Sequence, residues 1–257
     1  MNLVQYSVAQ QTAFLTLNRP EKRNALSPEL VAELKEALHK AEQDATVKVV
    51  VLKASGEAFC AGADLGYLQQ LQKFSFEENL ADSQNLKELF LKIYTLKKVV
   101  IAQVQGHALA GGCGLATVCD FTFSVPEAKF GYTEVRIGFI PALVAVFLIR
   151  KIGEQNARQL LLTGELIKAE TAHALGLITK VVPPEDLEAC VNQFAQNLIK
   201  QNSAQSMQLT KRLINDVQNL TLEEALNHAA HQNAKARATE DCKKGIAAFL
   251  NKQEIKW

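Results

Sequence analysis

Four glycines in one short stretch are the first feature of this sequence that bears on chemistry. Residues 105–120 read QGHALAGGCGLATVCD, with glycines at Gly106, Gly111, Gly112 and Gly114. The apolar run VVIAQV at 99–104 precedes them and is typical of a buried strand, and a helical pattern follows. Three uses of these glycines are open: a phosphate cradle, close packing of a helix on a strand, or a place where a ligand contacts bare backbone N–H groups.

The spacing of the glycines disfavours the phosphate cradle. A P-loop needs Lys and Ser or Thr after its last glycine, and none follows Gly111, Gly112 or Gly114 directly. A dinucleotide fingerprint needs a third glycine where Thr117 stands. Close packing stays open, and so does an amide site, because the first N–H groups of a helix are unpaired and can stabilise a developing oxyanion. A second donor loop is then expected, and residues 59–65, FCAGADL, are a suitable one.

The composition is typical of a globular enzyme and shows no sign of a nucleic-acid-binding or membrane protein. The chain has 257 residues, 48% of them hydrophobic, with a net charge of +1, which gives no reason to expect nucleic acid or an anionic membrane as a partner. Five cysteines without metal-site spacing read as reduced and mostly buried, and no zinc is expected. Since no signal peptide or membrane-spanning run is recognisable, we expect a cytoplasmic protein.

The elements that must position these loops alternate along the first part of the chain. Strands are predicted at 12–17, 48–53 and 99–104, and a loop at 55–66. Ser27 followed by Pro28 predicts a capped helix with Leu30, Leu34, Leu38 and Ala41 on its apolar face, and a second helix is predicted at 76–96. Strands separated by helices favour a parallel α/β core.

The pattern changes at Pro183 and Pro184. After them only helical periodicity is found, at 187–199, 206–217, 222–234 and 240–250, with Thr239 as the cap of the last helix. We therefore divide the chain into an α/β core, residues 1–184, and a helical C-terminal region, residues 185–257. This region is too small to bury its own apolar faces and is expected to pack on the core or on another subunit.

Five segments of the sequence, in their order along the chain, resemble the crotonase or enoyl-CoA hydratase/isomerase superfamily. They are FCAGADL, GHALAGGCGLATVCD and KFGYTEVRIGFIP (129–141), together with NRPEKRNALS (18–27) and LLTGELIKAETAHALGLITKVV (161–182). The resemblance covers essentially the whole chain. It implies a spiral of ββα units with an all-helical C-terminal region, assembly as a trimer or hexamer, and an acyl-CoA thioester as substrate. CoA is then part of the substrate, and no separate cofactor or metal is implied.

The resemblance also implies the roles of the reacting groups. The N–H groups of Ala63 and Gly111 match the pair that holds the thioester oxygen, and Glu134 matches one of two catalytic glutamates of the hydratases. The other glutamate would stand at Gly114 and is absent. A single glutamate fits hydration of a 2-enoyl-CoA, which we favour, or Δ3,Δ2-enoyl-CoA isomerisation. A catalytically weak acyl-CoA-binding protein is a third alternative.

The resemblance of two parts of the sequence indicates which acyl group the substrate carries. Gly114 and the segment 133–142 resemble bacterial 3-methylglutaconyl-CoA hydratases of leucine breakdown most, and residues 142–147 are expected near the acyl chain. Arg136 is either a partner for a substrate carboxylate or a structural ion-pair residue. Tyr132 and His107 are near the site in sequence. His107 is expected to be a packed polar residue, and Asp120 to accept hydrogen bonds from local amides.

The resemblance assigns the CoA and substrate contacts to loops and to the tail. Cations for the phosphates come from the loop around residue 22, and most other contacts come from the backbone. The C-terminal residues of this set contact CoA in the family, sometimes across a subunit boundary. The residues implied are Lys22, Arg23, Ala25, Ala61, Asp64, Leu65, Gly114, Phe249 and Lys252.

Overall fold

A six-stranded sheet carries the core of residues 2–257, which are the residues described by the computed structural model. In chain order the strands of the molecule are β1 (Val4–Ala9), β2 (Thr12–Leu17), β3 (Val49–Ala54), β4 (Val99–Val104), β5 (Ala108–Leu109), β6 (Phe121–Ser124), β7 (Lys129–Gly131), β8 (Ile167–Lys168) and β9 (Lys180–Val181). The large sheet has the order β1-β2-β3-β4-β6-β9, and a small sheet has the order β5-β7-β8.

The large sheet is parallel except at one edge. Leu15 lies opposite Leu52, which lies opposite Ala102 on the next parallel strand. β1 and β2 instead form an antiparallel hairpin, whose two turn residues, Gln10 and Gln11, both have positive φ. The predicted parallel α/β core is confirmed. The sequence reading missed β1, because a strand at the edge of a sheet exposes most of its side chains.

Ten helices surround the sheets within residues 2–257. They are α1 (Pro28–Gln43), α2 (Leu65–Leu71), α3 (Phe76–Thr95), α4 (Gly111–Val118), α5 (Ala142–Thr163), α6 (Ala169–Ala174), α7 (Leu187–Gln201), α8 (Ala204–Val217), α9 (Leu222–Arg237) and α10 (Glu240–Leu250). None of these helices combines the length and the apolar composition that crossing a membrane requires.

The predicted helix starts are confirmed, with one boundary corrected. The Ser27 side chain accepts a hydrogen bond from the Leu30 N–H, and Pro28 is the first residue of α1. The Thr239 side chain caps α10 in the same way by accepting from the Cys242 N–H. The loop predicted to run to residue 66 ends earlier, because Asp64 caps α2.

The partly buried Lys151 side chain caps the C-terminal end of helix α4. The Lys151 ammonium donates to the carbonyl oxygens of Thr117 (2.9 Å) and Cys119 (2.8 Å). A positive charge at this end complements the helix dipole and satisfies carbonyl groups that have no partner in the helix. Burial lowers the pKa of Lys151. The N-terminal end of the same helix carries Gly111, one of the two predicted amide donors.

The C-terminal helices differ in how they meet the core. α7 buries Leu187, Val191, Ala195 and Ile199 in the same apolar cluster as the sheet. α8 reaches the core through Lys211, whose ammonium lies 2.7 Å from the Asp120 carboxylate. α9 and α10 bury none of their residues. Packing on the core is thus confirmed for α7 and α8, while the oligomerisation role assigned to residues 185–257 stays a prediction.

Candidate active site

A cavity of about 460 Å³ lies between the start of α1, helices α2 and α3, and the segment that leads into α5. Its wall is mostly apolar and includes the three residues predicted to react, Ala63, Gly111 and Glu134. Among residues 2–257, no lysine, arginine or histidine lines it. The fold therefore places the three residues that were predicted to react at the same cavity.

The N–H of Ala63 points away from the segment around Leu26, which lies beside it. Ala63 forms an isolated parallel bridge with Leu26, in which the Leu26 N–H donates to Gly62 O (2.7 Å) and the Asp64 N–H donates to Leu26 O (2.9 Å). In such a bridge the hydrogen bonds to the partner come from the two flanking residues, so the middle residue points its own N–H the other way. Within residues 2–257 the Ala63 N–H has no hydrogen-bond acceptor.

The N–H of Gly111 is the second free donor. Gly111 is the first residue of α4; the Ala110 N–H before it donates to Gly131 O, and the first hydrogen bond into the helix runs from the Gly114 N–H to Ala110 O. No acceptor for the Gly111 N–H occurs in the described part of the chain. Ala110 has a φ of 50° and a ψ of −125°, a strained conformation for a residue with a side chain. The turn that aims this amide is therefore held by its surroundings.

The two donor segments are in contact with one another. A Cβ placed on Gly62 would lie 2.9 Å from Ala110 Cβ and 3.8 Å from the Gly111 nitrogen. The loop that carries Ala63 and the start of α4 thus form one continuous wall of the cavity. Two unpaired amides on one wall are the arrangement needed to hold an oxyanion.

The glycines of the stretch have different roles. A Cβ on Gly106 would lie 1.8 Å from Glu57 O, and one on Gly112 would lie 2.2 Å from Cys60 O. These two glycines therefore serve close packing, which presses the loop before Ala63 against the start of α4. Only Gly111 presents a free amide to the cavity. Of the uses left open by the sequence, close packing therefore applies to Gly106 and Gly112, and an exposed amide to Gly111.

Glu134 begins a short 3₁₀ turn, Glu134–Ile137, directly after Thr133. Its Oε2 atom is buried and has no hydrogen-bond partner among the described residues. Burial raises the pKa of Glu134, and a hydrogen bond from its own backbone N–H opposes the rise. A carboxyl with an unpartnered oxygen, Oε2, and a raised pKa on a cavity wall is suited to exchange protons with a bound molecule.

The place of the absent glutamate is filled by other side chains. A Cβ on Gly114 would lie 2.4 Å from Val144 Cγ1 and 3.1 Å from Phe90 Cζ. Val144 and Phe90 line the cavity, whereas Gly114 lies buried behind them and does not. Of residues 142–147, which are predicted to lie near the acyl chain, Ala142, Leu143 and Val144 line the cavity.

The predicted CoA loop lies beside the cavity. The Ala61 N–H donates to Arg23 O (3.0 Å), which joins the exposed turn of Lys22 and Arg23 to the Ala63 loop. Ala61 and the strongly exposed Leu65 line the cavity, and Ala25 is buried beneath the turn. These contacts place the predicted CoA residues of the N-terminal half side by side.

Asp64 has a structural role in this loop. It caps α2 by accepting from the Tyr67 N–H (3.1 Å), and it forms an ion pair with Arg19 (2.9 Å). Burial raises the pKa of Asp64, but these hydrogen bonds and the Arg19 charge outweigh it and lower the pKa. The side chain of Asp64 does not line the cavity.

The two predicted CoA contacts of the tail lie elsewhere in the chain. Phe249 is the second-to-last residue of α10 and is 82% exposed, and Lys252 follows the helix at a φ of 52°. Neither residue lines the cavity. Their contact with CoA, within the chain or across a subunit boundary, stays a prediction.

Four residues near the motifs do not reach the cavity. Arg136 is exposed and lies beside the turn at residue 164, so a role opposite a substrate carboxylate has no support. Tyr132 is fully buried, with its hydroxyl 2.6 Å from Thr117 Oγ1. His107 is exposed and accepts from the Lys129 N–H, so it is less packed than predicted. Asp120 accepts from the Val100 N–H (2.7 Å), so it satisfies a backbone amide as predicted, but that amide is 20 residues away on β4 and is not local.

Sequence reasoning missed a polar part of the cavity wall. The Tyr67 hydroxyl donates to the Asp82 carboxylate (2.6 Å), and Ser83 and Asn85 line the same wall. Tyr67 lies on α2 and the other three on α3, 15 or more residues away in sequence. No motif or spacing connects them, because only the packing of α2 against α3 brings them together.

The chain is similar to known proteins over nearly its whole length. The profile of the family described as Enoyl-CoA hydratase/isomerase matches residues 7–257. A Thermus thermophilus protein, described provisionally as an enoyl-CoA hydratase, is 44% identical over 94% of this chain and 95% of its own. The Crotonyl-CoA hydratase of Syntrophomonas wolfei is 35% identical over 95% and 94%. The crystal structure of an enoyl-CoA hydratase from Mycobacterium smegmatis, 32% identical, superposes with a TM-score of 0.93 over 99% of this chain and 98% of that one.

Proposed function

Because the chain belongs to the enoyl-CoA hydratase/isomerase family, the crotonase superfamily, we propose that it adds water to the C2–C3 double bond of a 2-enoyl-CoA thioester. The product is a 3-hydroxyacyl-CoA. One observation supports this most: two residues with unpartnered amides, Ala63 and Gly111, and Glu134, whose Oε2 is unpartnered, line the same cavity. The fold is the crotonase fold, with a helical C-terminal region.

The two amides would act on the thioester carbonyl. Both N–H groups donate to its oxygen, which draws electron density from the double bond and makes C3 electrophilic. As water adds, negative charge moves to that oxygen, and the same donors stabilise the enolate. A fixed donor of this kind contributes about 3 kcal/mol to lowering a barrier. The helix dipole of α4 adds to the donor at Gly111.

Glu134 would carry the proton. Its carboxylate removes a proton from water as the oxygen bonds to C3, and the resulting carboxylic acid returns a proton to C2 of the enolate. The elements of water are thereby added, and Glu134 ends as it began. A pKa raised by burial makes the carboxylate a better base and brings it closer to the working pH.

Isomerisation of a 3-enoyl-CoA is the second function that the site supports. The observation that favours it is the filling of the Gly114 position by Val144 and Phe90, which leaves Glu134 as the one carboxylate at the reacting end of this cavity in the described chain. A single glutamate removes a proton from C2 and returns it to C4 through the same stabilised enolate. We rank this below hydration.

The prediction of 3-methylglutaconyl-CoA as substrate stays a prediction. Its acyl group carries a carboxylate, and the cavity of residues 2–257 holds two acidic residues, Glu134 and Asp82, and no cation on its wall. Enclosing an unpaired carboxylate beside like charges is costly. We therefore place uncharged acyl chains first. Lys22 and Arg23 would pair with the CoA phosphates outside the cavity.

The test is hydration in H₂¹⁸O. Crotonyl-CoA, a medium-chain 2-enoyl-CoA and 3-methylglutaconyl-CoA are incubated with the wild type, with Glu134→Gln, and with the control Glu127→Gln, which changes an exposed carboxylate seven residues upstream. We expect labelled 3-hydroxyacyl-CoA from the wild type and the control, and none from Glu134→Gln. Conversion of a 3-enoyl-CoA without uptake of label would instead establish the isomerase. No conversion of any substrate would leave an acyl-CoA-binding protein.

A further inference from the structure

The end of the cavity remote from Glu134 has a polar wall inside an otherwise apolar lining. Tyr67 and Asp82 form its centre, joined by the 2.6 Å hydrogen bond from the tyrosine hydroxyl to Asp82 Oδ1. Burial and the hydrogen bond to Asp82 raise the pKa of Tyr67, so the hydroxyl keeps its proton. Since that proton is committed to Asp82, both groups offer only acceptor capacity to a ligand.

Asn85 supplies the complementary donor. Its Oδ1 accepts from the Lys35 ammonium (2.6 Å), which can only donate and therefore fixes the orientation of the amide. The NH₂ group of Asn85 is then left for the cavity, whose wall Asn85 lines. The polar wall thus presents acceptors at Asp82 and Tyr67 and a donor at Asn85.

The position of this wall on α3 separates it from the reaction. Phe90 lies beside Gly114, at the reacting end of the cavity. Asp82 precedes Phe90 by eight residues on the same helix, which is about 12 Å along the axis. Apolar side chains, Leu71 and Leu86 among them, line the cavity as well. A chain whose thioester lies at the amides would reach the polar wall with its far end.

The chemistry of the wall discriminates between chain ends. A methyl end would cover the half-buried Asp82 carboxylate without replacing its hydrogen bonds to water, which is unfavourable. A carboxylate end would be repelled by Asp82. A hydroxyl can donate to Asp82 and accept from Asn85 at once.

Resting on the proposed function, we propose that the substrate is a medium-chain acyl thioester with a hydroxyl group near the far end of its chain. The hydroxyl donates to the Asp82 carboxylate and accepts from the Asn85 amide. Tyr67 holds the carboxylate in place. These residues determine specificity and take no part in the proton transfers at C2 and C3.

Binding of saturated acyl-CoA thioesters tests this without any reaction. Calorimetry compares each chain length in three forms: with a methyl end, with a terminal hydroxyl and with a terminal carboxylate. We expect the hydroxylated ligand to bind about tenfold more tightly than the methyl form at the length that spans the cavity, the size of effect of a hydrogen bond to a charged group. The carboxylated form should bind weakest.

Two sets of variants distinguish recognition of the ligand hydroxyl by Asp82 from a purely structural role of the Tyr67–Asp82 hydrogen bond. Asp82→Leu should abolish the preference for hydroxyl while leaving the methyl form bound at least as tightly. Gln84→Leu, which changes an exposed neighbour on α3 that does not line the cavity, should keep the preference. If the Tyr67–Asp82 bond only braces α2 against α3, Asp82→Leu and Tyr67→Phe would weaken both ligands equally and leave their ratio unchanged, which would overturn the proposal.

The two proposals fail separately. Equal binding of the methyl and hydroxyl forms by the wild type at every length would overturn the specificity proposal, whatever the outcome in H₂¹⁸O. A preference for the hydroxyl form in a protein that incorporates no label would keep this ligand assignment and remove only the hydration proposal.

Discussion

Gly111 contributes an atom of its backbone to the proposed reaction, and a single substitution can remove it. Proline has no N–H, and it is well accommodated as the first residue of a helix, where Gly111 stands. We expect Gly111→Pro to lower kcat about 100-fold or more through loss of the oxyanion donor, and to lower thermal stability because proline disfavours the positive φ of Ala110 before it. Steady-state kinetics and a thermal melt of the same preparation measure both effects.

Gly111→Ala is the matched control for this donor. It keeps the N–H and adds a Cβ that would lie 3.0 Å from the flexible Leu26 Cδ1, so a small shift of that side chain accommodates it. Near-normal activity is expected. A folded proline variant that retains full activity would contradict the assignment of the Gly111 amide.

The ionised carboxylate of Glu134 should destabilise the folded protein at neutral pH. Its pKa is raised by burial, so the folded state binds the proton more tightly than the unfolded state does. Stability from this group therefore falls as the pH rises from its ordinary value, 4.5, through the raised folded value. Gln, which is always neutral, avoids the cost. Glu134→Gln should melt at a higher temperature than the wild type at neutral pH.

The difference in stability between Glu134→Gln and the wild type should disappear at acid pH. Below 4.5 both states of the wild type carry a protonated, neutral Glu134, so the two melting curves should converge there. The activity of the wild type should fall with acidification through the raised pKa, because the base is then protonated. A stability gain that persists undiminished in acid would show that the carboxyl charge is not its cause.

The residues of the site could be predicted from the sequence where a motif carries them. Ala63, Gly111 and Glu134 stand in such motifs. Tyr67 and Asp82 could not be predicted, because a hydrogen bond between two helices leaves no pattern along the chain. The filling of the space beside Gly114 could not be predicted either, because Val144, which fills it, stands 30 residues later in the chain.

At the scale of elements, the contact of α4 with α3 and α5 excludes a second glutamate. Gly114→Glu would push its Cβ to within 2.4 Å of Val144 Cγ1, and valine is too stiff at χ1 to move aside. Overpacking of this kind costs about 1–3 kcal/mol, and an unpaired buried carboxylate adds to it. We expect chemical denaturation to show a clear loss of stability for the single variant, and kinetics a loss of activity.

Room can be made by shortening the side chain that fills the space. Gly114→Glu combined with Val144→Ala should recover part of that stability and raise hydration relative to isomerisation, because a second carboxylate then faces the cavity. Val144→Ala alone is the control for the cavity it creates. Additive losses in the double variant would show that Val144 is not the obstacle.

Elements with strong periodicity and capping residues could be predicted well, as α1, α3 and α10 show. The strands β5, β8 and β9 have two residues each, too short for any alternation to be visible. In α5 the helical pattern is interrupted at Gly153, which has a φ of 77° and a ψ of 162°. Such elements are defined by their partners in space more than by their own residues.

At the scale of the whole molecule, an apolar surface remains on the last two helices. Leu222, Leu226, Phe249 and Leu250 are between 61% and 82% exposed. Exposed apolar groups of this size are characteristic of subunit interfaces. We expect sedimentation to give a trimer or hexamer of the 28.3 kDa chain, and Phe249→Asp to shift it toward smaller species.

Dissociation should also weaken CoA binding if Phe249 and Lys252 reach a neighbouring subunit. The matched control is Phe76→Asp, which changes a similarly exposed phenylalanine (75%) at the start of α3. The control should keep both the assembly and the affinity for CoA. A wild type that sediments as a monomer would refute the predicted oligomer.

The cysteines give the site a built-in probe of its opening. Burial raises the pKa of Cys60 to about 12 and that of Cys113 to about 11, so both thiols are inert in the closed fold. Cys60 lies three residues before Ala63, and Cys113 lies two residues after Gly111. Alkylation of either one requires the wall that bears the two amides to separate. The rate of that labelling can be followed by mass spectrometry with and without bound acyl-CoA. It would report how often the segments of Ala63 and Gly111 open locally in the protein without any substitution.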